Sequence, residues 1–96
     1  MIQSFADGVT EDLFHGKDTK AARAFGKHLW QAIHRKLDMV NAAHVLGDLR
    51  APPGNRLHAL KDDQKGRYAI SVNDQYRISF RFEDGNDHDV RCEDYH

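Results

Sequence analysis

The sequence predicts an α+β fold, with an N-terminal strand and two to three helices packed on one face of a mainly antiparallel sheet. Three observations carry this prediction. Apolar residues recur at three- and four-residue steps through the first half of the chain, and the period falls to two from Arg56 onward. Between the halves lies Ala51-Pro52-Pro53-Gly54-Asn55, whose prolines and glycine cannot continue a helix.

Taken in order, Met1 to Phe5 alternates weakly and reads as a short first strand. Thr10 before Glu11-Asp12-Leu13-Phe14 reads as a helix cap with acids in the first turn, ended by Gly16. Asp18 or Thr19 is expected to cap a long helix reaching about Met39. Its apolar stripe is Ala22, Phe25, Leu29, Ile33, Leu37 and Val40. Gly26 sits inside that helix and suggests close packing on a neighbour, while Trp30 lies just off the stripe and suggests a partner surface. In the second half, Tyr68, Ile70 and Val72 share one face, as do Tyr76, Ile78, Phe80 and Phe82. Asn73-Asp74 and Glu83 to Asp87 are turns, and the last strand runs from His88 to Tyr95 with Val90 and Cys92 inward.

A chain of 96 residues suits one domain, 1–96, since a second would lack residues for its own core. At 40% hydrophobic and 30% charged it is too apolar for disorder. No apolar run is long enough to cross a bilayer, and the first ten residues lack the pattern of a secretion signal. The single cysteine, Cys92, cannot form an internal disulfide, which points to a reducing cytoplasm. The net charge of −1 hides an uneven distribution. Residues 56–81 hold six cations (Arg56, Lys61, Lys65, Arg67, Arg77, Arg81) against three acids, whereas residues 83–96 hold six acids against Arg91. Screening limits each charge to a reach of about 10 Å, so a basic stripe can bind phosphates on a neutral protein.

If the apolar residues of Tyr76 to Phe82 face the helices, Arg77, Ser79 and Arg81 face away. Two guanidiniums about 7 Å apart on one strand suit a phosphodiester, because each offers a planar, permanently charged fork. The same spacing equally fits ion pairs with acids of the last strand, such as Glu93. His58 lies two residues after Arg56, and the chain closes on Asp94-Tyr95-His96, a carboxylate, a phenol and an imidazole in a row. An imidazole can give or take a proton near neutral pH. The seven histidines show neither helix-face metal spacing nor a cysteine partner pair, so neither a metal nor any other cofactor is expected.

Four stretches together carry a family resemblance: Asn55 to Lys61, Lys65 to Asn73, Gln75 to Phe82, and Glu93 to His96. Their order and spacing resemble the HigB-type toxins of the RelE/ParE superfamily, over the whole chain and most specifically from residue 55. The resemblance implies a RelE-like microbial RNase fold and a toxin of a type II toxin–antitoxin pair that cuts translated mRNA in the ribosomal A site. It maps the family's important residues onto His58, Arg77, Asp94, Tyr95 and His96. Lys61, Lys65 and Arg67 lie around them, and Arg56 and Arg81 complete the expected RNA- or ribosome-binding set. The implied partners are a helix-turn-helix antitoxin of the HigA type, mRNA and the 70S ribosome, with operator DNA reached only through the antitoxin and no membrane. Two positions depart from the pattern. Tyr76 stands where many relatives have Trp. Lys61-Asp62-Asp63-Gln64-Lys65-Gly66 stands where many read Lys-Gly-Asp-Arg-Lys-Gly, which weakens the basic rim.

The expected chemistry is metal-independent attack of a 2′-hydroxyl on the adjacent phosphorus. Asp94, His96 or His58 would move the protons, Arg77 would hold the phosphate, and Tyr95 would stack on a base or orient a neighbour. The alternative is the ParE branch, which poisons DNA gyrase and cleaves nothing; it lacks the terminal acid and imidazole. A pure binding module acting through the antitoxin on its own operon is a third reading.

Overall fold

The computed structural model describes residues 1–95, so the expected catalytic His96 lies outside the described residues. Four strands form one antiparallel sheet in the order β1 (His58–Ala59), β2 (Arg67–Ser71), β3 (Tyr76–Glu83) and β4 (Asn86–Asp94). Two helices, α1 (Gly8–Phe14) and α2 (Lys27–Ala42), cover one face.

The first helix starts earlier than the sequence suggests. Asp7 is its cap, accepting from the Thr10 N–H at 2.9 Å and from the Thr10 hydroxyl at 2.6 Å. Thr10 is instead a buried tie: its oxygen accepts the Cys92 N–H at 2.9 Å, which pins α1 to β4. Gly16 follows the helix with φ +70°, the left-handed stop expected of it.

The second helix starts later. A single 3-10 turn, Ala22–Ala24, with Ala21 at its N-cap, comes first, and Thr19 Oγ1 just before it accepts the Ala22 N–H at 3.1 Å. The backbone then extends at Phe25 and Gly26, and Gly26 is the cap of α2, not a residue inside it. Trp30 explains the break. Its indole N–H donates to the carbonyls of Ala22 at 3.0 Å and Phe25 at 2.7 Å, acceptors that a continuous helix would have offered to its own backbone. The stripe itself is as expected: Ile33, Leu37 and Val40 are fully buried against Ile70, Ile78 and Phe80. Burying each such side chain contributes about 1.5–3 kcal/mol. Lys36 is also buried. Its ammonium donates to Asn55 Oδ1, while Asn55 Nδ2 donates to the carbonyls of Leu49 at 3.1 Å and Ala51 at 3.3 Å. This strut fixes the loop that leads into β1.

The strand expected from Arg56 shrinks to the two residues of β1, because Arg56 sits at φ +48° and cannot join a ladder. At the other edge, the N-terminal segment lies parallel to β4 through bridges Ile2–Asp87 and Phe5–Val90. The β3–β4 turn, Asp84-Gly85, has φ of +50° and +78°, the geometry of a two-residue hairpin whose twist matches its strands. One irregularity follows. Ser79 pairs with Arg91 but Arg81 pairs with His88, so Asp89 and Val90 together oppose Phe80. Asp89 takes φ +51° at this bulge.

Asp87 is fully buried, and neither of its oxygens makes a hydrogen bond among the described residues; the Met1 ammonium is 3.5 Å away. Burial pushes its carboxyl up from 3.8 to about 6, with the ammonium opposing. A raised folded-state value means that the native chain holds the proton more tightly than the unfolded chain. Stability is therefore lost as pH rises from near 4 through about 6. At about 1.4 kcal/mol per pH unit, the displacement from 3.8 to about 6 is worth about 3 kcal/mol. Asp87→Asn is expected to exceed the wild type in urea unfolding free energy by up to that amount above about pH 7, and to match it below about pH 4. An equal difference at both pH values would show that the carboxyl's ionisation is not the cause.

Candidate active site

Pairing register decides which side chains meet on the sheet's outer face. Ser71, Arg77 and Glu93 lie in one cross-strand row; His58, Ala69, Ser79 and Arg91 lie in the next; Arg67, Arg81 and His88 form a third. The floor of this face is small: Ala69, Ser71 and Ser79 are all buried beneath longer neighbours. Arg67 provides part of the cover. Its guanidinium donates to Ser79 Oγ at 3.1 Å and to the Asp89 carbonyl at 2.8 Å, so it braces the bulge. Burial pulls its proton affinity down, against the attraction of Glu93 and Asp89.

Arg77 and Glu93 form a charge contact in which both partners are largely shielded from water. Arg77 Nε is 3.4 Å from Glu93 Oε1, and the two side chains are 16% and 11% exposed. Neither of these buried atoms has an aligned hydrogen bond among the described residues, so the contact is electrostatic. The guanidinium carbon also lies 5.5 Å from the centre of the Tyr95 ring, a cation–π arrangement. Tyr95 is tethered in turn: its N–H donates to the Gln75 carbonyl and its hydroxyl to the Asn73 carbonyl, each at 3.2 Å. Of the two readings of Arg77 that the sequence allows, the ion pair with Glu93 is the one present, and the terminal aromatic lies against the same guanidinium.

Asp94 is placed differently. It pairs with Tyr76, whose ring packs on Phe25 at 5.1 Å on the helical side. Alternation therefore starts the Asp94 side chain toward the face opposite Arg77 and Tyr95. It is exposed at the strand end and accepts from Gln75 Nε2 at 3.0 Å. The signal was present in the sequence, because residues 90, 92 and 94 have the same parity and Val90 and Cys92 point inward.

His58 is exposed on β1, with Nδ1 2.7 Å from the Arg56 carbonyl. In its row it stands two strands from Ser79, about 10 Å away. Arg56, Lys61 and Lys65 are exposed on the connections flanking β1 and β2, outside the three rows. Arg81 is half-exposed and shared between Glu83 at 3.2 Å and Asp89 at 3.6 Å. Arg91 joins the face although the sequence counts it within the acidic segment; it makes a salt bridge to Asp7 at 3.7 Å. Burial pushes the Cys92 thiol up to about 12, which removes it as a nucleophile at neutral pH. Among the described residues, no three of His, Cys, Asp and Glu are grouped to hold a metal ion.

A family model described as the RelE-like toxin of the type II toxin–antitoxin system HigB matches residues 3–96. The chain belongs to the HigB-like toxins. It is similar to Toxin HigB-1 of Vibrio cholerae, 39% identical over 85 residues that span 88% of this chain and 87% of that protein. It also resembles Endoribonuclease HigB of Proteus vulgaris, 34% identical over 64 residues, 67% and 68% of the two chains. Two solved structures share the fold. The YoeB–YefM complex from Staphylococcus aureus gives a TM-score of 0.61 at 14% identity, covering 100% and 98% of the chains. YafQ from E. coli gives 0.62 at 15% identity, covering 99% and 92%.

In this HigB-like toxin the cations of the outer face divide by task. Arg67 is bonded into the sheet, whereas Arg56, Lys61 and Lys65 stand on the connections around it. Arg67→Ala is expected to destabilise the fold by about 1–3 kcal/mol, because Ser79 and the Asp89 carbonyl lose their donor. Lys61→Ala is expected to stay within about 0.5 kcal/mol of the wild type. Urea denaturation compares the two, and equal, negligible effects would remove Arg67 as a brace.

Proposed function

We propose that this toxin is an endoribonuclease that cuts mRNA on translating ribosomes, using the outer face of its sheet. One observation carries the reading: the Arg77 guanidinium contacts both Glu93 and the Tyr95 ring on a face whose floor is small side chains. A guanidinium held in place and largely shielded from water is suited to the charge that develops on a phosphate under attack. The name of the Proteus vulgaris relative as an endoribonuclease supports the same reaction class.

In the proposed step, the ribose 2′-oxygen loses its proton to a base and bonds to the adjacent phosphorus. The bond to the 5′-oxygen of the next nucleotide breaks, and that oxygen receives a proton. The products are a 2′,3′-cyclic phosphate and a 5′-hydroxyl. Arg77 holds the phosphate oxygens, and Tyr95 stacks on a base or orients Arg77. His58, Asp94 and His96 are the proton-transfer groups of the proposal. His58 stands on the outer face, and Asp94 reaches the site from the strand end only by turning around it. Glu93 competes with the phosphate for Arg77, so substrate binding must displace or neutralise it. The reaction is proposed to run without a metal. Lys61, Lys65, Arg56 and Arg81 would meet ribosomal or messenger phosphates, and a HigA-type antitoxin in the cytoplasm would hold the toxin in check.

Cleavage of a translated message by purified toxin and 70S ribosomes, read as new 5′ ends, tests the proposal. Arg77→Ala is expected to lower the rate by about 10²–10³. Asp94→Asn and His96→Ala are expected to lower it by about 10²–10⁴ wherever the group moves a proton. Excess chelator should leave the wild-type rate unchanged once ribosomal magnesium is restored. Wild-type rates in all three variants would refute the site, and loss of cleavage in chelator that only a transition metal restores would refute the metal-free step.

A further inference from the structure

We propose that the cavity at the free edge of β1 is a nucleobase subsite, which takes the base of one nucleotide beside the cleaved bond. The inference rests on the RNA-cleavage reading above and names what that site recognises. The cavity measures about 210 Å³ and is lined by Leu46, Arg50, Leu57, His58, Ala59 and Tyr68. At about 30 Å³ per water, it holds the space of about seven waters. That leaves room for one planar heterocycle.

Its chemistry is that of base recognition. Tyr68 gives an aromatic surface and Arg50 a planar cation, both suited to a stacked base. Leu46 and Leu57 supply an apolar wall, and no acid lines the space. Arg50 makes no salt bridge among the described residues, so its charge is available.

The backbone adds specific hydrogen-bonding groups. The Leu60 N–H donates to the Arg67 carbonyl at 2.9 Å, which makes that pair a hydrogen-bonded one. An antiparallel ladder alternates, so the N–H and carbonyl of Ala59, one residue back, turn away from β2 toward the open edge. A donor and an acceptor side by side match the edge of a base. The loop that carries Arg50 is held in place, since Asn55 binds the carbonyls of Leu49 and Ala51 on either side of it and is itself held by Lys36. His58 belongs both to the cavity lining and to the row that leads to Ser79 and Arg91. A nucleotide whose phosphate lies on the outer face can thus pass its base around the short β1 edge.

Gly47 also lines the cavity and gives a clean probe. A Cβ built there meets nothing within 4 Å and its φ needs no glycine, so Gly47→Leu adds bulk at the cavity wall without straining the fold. Arg50→Ala removes the cation instead. The first measurement is an amide NMR titration of the whole toxin with adenosine, guanosine, cytidine and uridine 3′-monophosphates. Shifts at Gly47 and Ala59 are expected, stronger for one base than for the others, and at least tenfold weaker binding in Gly47→Leu and Arg50→Ala. The second is the map of cleavage ends on translated messages, where both variants should flatten the base preference at one position beside the cut by about tenfold.

Unchanged shifts and an unchanged cleavage map in two folded variants would overturn the subsite. Shifts that follow the phosphate alone, equal for all four bases, would also overturn it. Loss of antitoxin binding by both variants, with cleavage preference intact, would reassign the cavity to a protein partner. Base-selective binding by a toxin that cuts no message would leave the cavity a base site and refute the reaction proposed above, so the two failures are distinct.

Discussion

The register between β3 and β4 is the constraint on which the rest of the molecule depends. Ile78 and Phe80 on one strand, and Val90 and Cys92 on the other, are buried against the helices. A slip of one residue would drive every one of them to the opposite face, at about 1.5–3 kcal/mol for each large side chain exposed. The same pairing that buries these residues sets Arg77 opposite Glu93 and leaves Tyr95 beyond them on that face. The charged outer face is therefore a by-product of core formation: the chain cannot bury its apolar side without assembling the charged one. Thr10 reinforces this register from the helical side, because its hydroxyl holds the Cys92 N–H at the point where β4 leaves the bulge.

Contact between Arg77 and Glu93 carries a cost that shapes its use. At 3.4 Å and an effective dielectric of about 20, the gross attraction is about 5 kcal/mol. Desolvating both groups cancels much of it, and the absence of an aligned hydrogen bond at the facing atoms leaves the pair looser than a forked one. Such a pair is well suited to exchange. In the proposed reaction, a phosphate offering the guanidinium two aligned oxygens would replace a contact that offers none. Tyr95 limits how far the guanidinium can swing meanwhile, since the ring beneath it is tethered to the hairpin turn at Asn73 and Gln75.

Where each level of this architecture could be read from the sequence follows from the range of the forces involved. Period-two alternation is a local property, and it placed Ile70, Ile78, Phe80, Val90 and Cys92 inward correctly. The stripe of α2 is local as well, and Ile33, Leu37 and Val40 are buried as expected. The start of α2 was not legible, because it is set by Trp30 reaching back to the carbonyls of Ala22 and Phe25, a tertiary bond that no propensity encodes. Thr10 yields to Asp7 as the cap of α1 for a similar reason: Thr10 fits a capping position, but its hydroxyl is claimed by β4. At the site, strand alternation already separated Asp94 from Tyr95, whereas the bulge at Asp89 and the arrival of Arg91 beside Ser79 needed the actual ladder. The pairing of Arg77 was visible only as two open possibilities, and the structure contains the ion pair with Glu93.

Unequal sheet edges explain where a long substrate can run. The β4 edge is covered by the N-terminal segment, which takes the outward backbone groups of Asp87 and Val90 into four hydrogen bonds. The β1 edge is two residues long and uncovered among the described residues. Short edge strands are a common defence against unwanted pairing between chains, and this one also lies between Arg56 and Lys61. Positive charge at an open edge repels another copy of the same edge and attracts a polyanion. The net charge of −1 is not spread evenly, and screening at physiological salt confines each group to about 8 Å, so the local balance decides: Arg56 and Lys61 flank the edge, and Asp62 and Asp63 beside Lys61 offset part of their charge. The face proposed to meet RNA and the β1 edge are thus joined through His58, which belongs to the edge strand and to the row that leads to Ser79 and Arg91.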